Sequence, residues 1–170
     1  IKEAKLVYNN HPIKMGKNSV LNIFLEGAKW MYEMLKKLEV TKLASFNTNV
    51  NYNLYGILKY SICLLFLVIS FISFWYTHPL LTPLSIITFY LVEIHFLFLF
   101  PLLIDYSKKP FMDNIYMVYR IGIFKTLVTI IPIGLYMMIG FLNFKKPYYN
   151  WYIGCLSILI WYKDEVRNRI

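Results

Sequence analysis

Cysteine is scarce in this 170-residue chain, and the two present, Cys63 and Cys155, each lie inside an apolar run with no CxxC or Cys/His cluster nearby. That gives little basis for a disulfide scaffold, a zinc site or an iron–sulfur centre, and each is read as a small buried hydrophobe. Acidic residues are few as well, nine against eighteen Lys and Arg. The seven glycines and seven prolines build no phosphate loop and no Pro-rich or Gly/Ser-rich linker. GxSxG, Walker A, GxGxxG, Ser-x-x-Lys and HExxH are all missing, and no soluble stretch is long enough for a nucleotide-binding domain. A soluble-type active site is thereby excluded, and no cofactor and no metal site are expected.

What is abundant is apolar surface: 58% of residues are hydrophobic, 19% are aromatic, and mean hydropathy is +0.50. Most of the chain is expected to sit in lipid. Phe, Tyr, Met, Ile, Asn and Lys supply about half of it while Ala occurs three times, a bias that AT-rich codons write. This composition suits a mitochondrial or a bacterial inner membrane. The opening Ile leads us to expect a preceding segment, such as a targeting sequence.

A membrane crossing needs about 20 apolar residues, and three runs qualify: Gly56 to Trp75, Leu80 to Ile104, and Ile121 to Leu142. A fourth, Tyr148 to Tyr162, is short at about 22 Å, yet it carries Tyr148, Tyr149, Trp151 and Tyr152 at one end and Trp161 and Tyr162 at the other. Aromatic belts at both ends mark a segment that touches both interfaces. The expected fold is therefore an all-α integral membrane protein with about four transmembrane helices, or three if the last segment lies in the interface. Prolines 83, 101 and 132 should adjust the shape of the second and third spans.

Eight lysines precede the first span, Lys108, Lys109 and Arg120 lie in the 105–120 loop, and Lys163, Arg167 and Arg169 end the chain. The link at residues 76–79 has none, so both termini are placed on the matrix or cytoplasmic side. Lys145 and Lys146 go against this pattern. A net charge of +9 does not signal nucleic-acid binding, because the cations sit where span flanks and anionic headgroups already account for them.

Residues 1–54 form an N-terminal region distinct from the 55–170 bundle. In it Leu21, Phe24, Ala28, Met31, Leu35 and Leu38 recur every three or four positions, one stripe of an amphipathic helix that Asn18 or Ser19 could cap. We expect this stripe, with Trp151 and Trp161, to contact lipid or partner subunits.

The oily stretch FYLVEIHFLFLF contains Glu93 and His95. A charge at mid-span costs about 3 kcal/mol or more, so Glu93 is expected either protonated or partnered, and in the first case Glu93→Gln should be harmless. Residues i and i+2 point about 200° apart on a helix, so Glu93 and His95 need a broken helix to act together. Asp105 closes the span and reads as a loop acid near Lys108 and Lys109, His78 reads as a turn residue, and Lys59 and Lys125 read as side chains reaching for the interface; the alternative, that either lysine neutralises Glu93, has to bridge a depth difference of about 10 Å. The functional expectation is a small multi-pass subunit that packs in a larger membrane complex, such as an energy-transducing assembly. The alternative is a membrane-embedded enzyme acting on a lipid or isoprenoid-linked substrate, with Glu93, His95 and Asp105 as acid–base candidates.

Overall fold

The computed structural model describes residues 1–10, 22–38, 45–140, 142–143 and 148–167, and no strand occurs among them. Its helices are α1 (Lys2–Asn10), α2 (Ile23–Leu38), α3 (Tyr52–Thr77), α4 (Ser85–Glu93), α5 (Leu99–Ile104), α6 (Pro110–Ile121), α7 (Ile123–Gly140) and α8 (Tyr149–Glu165), with 3-10 segments at Pro79–Leu84 and Ile94–Phe96. Leu21, the Asn18 or Ser19 cap, Lys145 and Lys146 lie outside the described residues.

Three helical stretches are long and apolar enough to cross a membrane: α3, the run Pro79–Ile104, and α7. Local signals set their ends. Asn51 caps α3 by accepting from the Leu54 amide at 3.1 Å. At the other end the backbone turns extended at His78, whose Nδ1 accepts from the Leu80 amide at 3.3 Å and starts the 3-10 segment behind Pro79. His78 is thus the turn residue expected.

The 105–120 loop expected from sequence is in large part α6. Pro110 occupies its first turn, where a missing amide costs nothing. Gly122 ends it at φ 99°, a conformation other residues rarely adopt.

α8 runs antiparallel along nearly all of α7. Asn150 Nδ2 donates to the Tyr136 carbonyl at 3.0 Å near one end, and Lys125 Nζ meets Glu165 Oε1 at 2.8 Å at the other. α8 is enclosed by the chain, with α1, α2 and α7 packed on it and Ile153, Leu156, Leu159 and Tyr162 buried. Trp161 meets Phe98 edge-on at 5.4 Å, while Trp151 stays exposed.

The stripe on α2 is covered by the chain itself. Ala28 and Leu35 have no exposed surface; Met31 and Leu38 pack on the same core; Phe24 stacks on Tyr60 and Phe100, with Gly56 leaving the space its ring occupies. The reason is aromatic complementarity: Trp30 lies 5.4 Å from Tyr152 of α8, and Tyr32 reaches Tyr52 through Phe46. These contacts take the helix off a free interfacial position. α3 itself opens at Tyr52, ahead of the expected 54/55 division.

Candidate functional site

The second apolar run is not one helix. Pro101 has no amide to give the Leu97 carbonyl, and its ring crowds that carbonyl, so an α-helix cannot continue through it. The chain instead tightens to a 3-10 turn at Ile94–Phe96, where the Leu97 amide bonds the Ile94 carbonyl at 3.2 Å, and restarts as α5 with Pro101 in its first turn. Among the backbone groups left without α-helical partners are the Phe98 amide and the His95 carbonyl.

Asn114 of α6 satisfies both. Its Oδ1 accepts from the Phe98 amide at 2.5 Å, and its Nδ2 donates to the His95 carbonyl at 2.6 Å. The residue is fully buried. A side-chain amide offers an acceptor and a donor on one flat, uncharged group, which is what a broken helix in apolar surroundings needs. Sequence reasoning passed over Asn114, although an Asn on the apolar face of PFMDNIYMVYRI, downstream of an in-span proline, was the signal.

Glu93 ends α4 just above this break, and Lys59 of α3 pairs with it at 3.5 Å, the two side chains 18% and 7% exposed. Lys59 was expected to reach for the interface at a different depth. Measured from the shared turn at His78, Lys59 lies about 27 Å down α3, and Glu93 about 24 Å down the returning chain, because Pro79–Leu84 advances at about 2.0 Å per residue. The lysine stem spans what remains. The Lys59 ammonium also lies 5.2 Å from the Tyr60 ring. A cation beside Glu93 changes the expectation for Glu93→Gln, which would strand a buried ammonium.

His95 turns elsewhere. Its Nδ1 lies 2.8 Å from the Leu91 carbonyl, and since a carbonyl only accepts, that nitrogen carries a proton. Its ring meets Tyr119 of α6 edge-on at 6.1 Å.

Asp105 is not a solvated loop acid. Its Oδ2 accepts from Arg167 Nε at 2.7 Å and from the Tyr162 hydroxyl at 2.6 Å, while Arg167 Nη2 bonds its other oxygen. The turn that presents it is a Schellman motif: the Ser107 amide returns to the Leu102 carbonyl at 3.0 Å, and Tyr106 holds the left-handed position at φ 59° where glycine is usual. The Tyr106 hydroxyl donates to the Ser45 carbonyl at 2.8 Å and anchors that turn. Lys125, the other lysine expected to reach for the interface, is exposed and pairs with Glu165.

Glu93, His95 and Asp105 therefore address three different sets of partners, on α3, α6 and the C-terminal end of the chain. Among the described residues no three His, Cys, Asp or Glu side chains gather as metal ligands would. A shallow concavity of about 370 Å³ is lined by Phe71, Ile72, Trp75 and Tyr76, all on α3 and remote in sequence from the three candidates. No protein-family model, curated protein or solved structure matches this chain.

Proposed function

We propose that this chain is a small, non-catalytic subunit of a larger complex in a mitochondrial or bacterial inner membrane. One observation carries the reading: only 11% of the most apolar stretch of α3 is buried, against 50% for the returning run. A spanning helix held along one flank leaves the rest of its surface open to contact with other spans or with lipid. The ionisable side chains first suspected of chemistry are bound within the chain, Glu93 to Lys59 and Asp105 to Arg167 and Tyr162.

In this reading α8 is a fourth crossing, because it accompanies α7 from Asn150 to Glu165. The Asp105 end, which carries Lys108, Lys109, Arg120, Lys163 and Arg167, faces the matrix or cytoplasm. Placing the N-terminus on that same side draws no support from packing: Lys5 lies over Tyr136, and Tyr8 packs on Tyr149 and Tyr152, toward the far end of the α7–α8 hairpin.

Extraction in a gentle detergent followed by native sizing tests the proposal. The chain should migrate with a larger assembly and release partners only in harsher detergent. A stable, functional monomer with nothing co-purifying would overturn it.

A further inference from the structure

We infer that α6, not α2, is the helix that rests on the membrane surface, and that it holds anionic phospholipid headgroups between Lys108, Lys109 and Arg120. The inference rests on the membrane-subunit reading above. α6 joins the end of one apolar run, Ile104, to the start of the next, Ile123. A 12-residue helix between two spans on the same side must therefore lie near the interface.

The helix has two apolar faces. One, with Pro110, Asn114 and Val118, is buried against the chain. The other is bare: Met112 is 67% exposed, Tyr116 68%, Tyr119 59% and Ile115 37%. Spacings of three and four put these four side chains on one stripe, rotated away from the buried face. An apolar stripe ending in tyrosine hydroxyls suits the boundary between acyl chains and headgroups.

Charge says which headgroups. Lys108 and Lys109 stand just ahead of the helix and Arg120 in its last turn, all three exposed. Asp113, the acid within α6, accepts from the Ser107 hydroxyl at 2.5 Å, and that hydroxyl accepts from the Lys109 amide at 3.2 Å. The surface left facing outward is cationic at both ends and apolar between them, complementary to an anionic bilayer. α2 carries a comparable pattern of residues, but its stripe is covered by α3, α5 and α8.

The test uses the purified full chain in nanodiscs made from equal parts phosphatidylglycerol and phosphatidylcholine, with retained lipids counted by native mass spectrometry. Each cation near an anionic surface is worth about fivefold in partitioning. The wild-type chain should retain phosphatidylglycerol in clear excess, and Lys108→Gln/Lys109→Gln/Arg120→Gln should lower that preference about tenfold or more. Met112→Gln/Tyr116→Gln should reduce retention of both lipids while sparing the ratio. An unchanged ratio in the triple variant would overturn the inference. So would a spin label at Tyr116→Cys that is as open to a water-soluble relaxant as a loop, or a photo-crosslinker on the same cysteine that captures another protein in the native complex. Because the lipid measurement needs no partner, it stands if the sizing experiment fails.

Discussion

At the Asp105 end, polar groups that the apolar surroundings would penalise find partners within this chain: Asp105 holds Arg167 and Tyr162, and Asn114 bridges the break before α5, while the buried Tyr52 hydroxyl is an exception with no hydrogen-bond partner among the described residues. From Leu64 to Tyr76, by contrast, α3 leaves Leu65, Val68, Ile69, Ile72 and Tyr76 each about half exposed or more. The first region spends polar side chains to fix its own geometry. The second, apolar but for Ser70 and Ser73, leaves its open flank to whatever the bilayer or another subunit offers. The same amino-acid economy thus yields a self-sufficient end and a dependent one.

The largest expected effect comes from removing the splice in the self-sufficient end. Asn114→Leu keeps the apolar volume but strands the Phe98 amide and the His95 carbonyl, each worth about 1–3 kcal/mol when buried unpaired. Unfolding in an SDS titration should show a loss of about 2–5 kcal/mol. A loss below about 1 kcal/mol would mean that the broken helix satisfies itself.

The Lys59–Glu93 pair comes next. Glu93→Gln leaves the ammonium without a counter-charge and should cost about 3 kcal/mol, whereas the double variant Lys59→Met/Glu93→Gln should recover most of it. Equal loss in the single and double variants would show that the carboxylate answers to some group other than Lys59. Arg167→Met should cost about 2 kcal/mol by removing charge-assisted bonds to Asp105, and Arg167→Lys should restore part of that, since a lysine cannot reproduce the guanidinium fork. The titration should rank the three accordingly.

How much of this was legible in the sequence follows from the range of the forces involved. The three apolar runs were plain because hydropathy is a local, additive property, and their ends agree with the structure to within a few residues. α6 was missed although Pro110, Asp113 and Gly122 mark its start and stop; the lysines around it drew attention to charge instead. The amphipathic stripe of α2 was legible as a stripe but not as a buried one, since Trp30 finding Tyr152 depends on residues over a hundred positions apart. Pairing Lys59 with Glu93 required the 3-10 geometry of Pro79–Leu84, which changes the depth of everything after it. Asp105 meeting Arg167 likewise joins positions far apart in the chain. Periodicity reports which face is apolar; it is silent on what covers that face.

The smallest effect on the isolated chain should come from the dependent region, and it is the one that distinguishes lipid from protein as the neighbour of α3. Ile69 is 52% exposed and shares the open face with Leu65, Ile72 and Tyr76. In detergent, Ile69→Trp adds bulk where nothing in the chain stands, so stability should move by less than about 0.5 kcal/mol. Acyl chains are fluid and make room for an indole. A partner helix packed on that face is not and does not, because association inside a bilayer depends on close van der Waals fit. If α3 docks on another subunit, Ile69→Trp should fold as well as wild type yet fail to co-migrate with the complex on native sizing, while Ile69→Leu co-migrates normally. Normal assembly of the tryptophan variant would assign this face to lipid, and the contact that holds the subunit in place would then have to lie elsewhere on the chain.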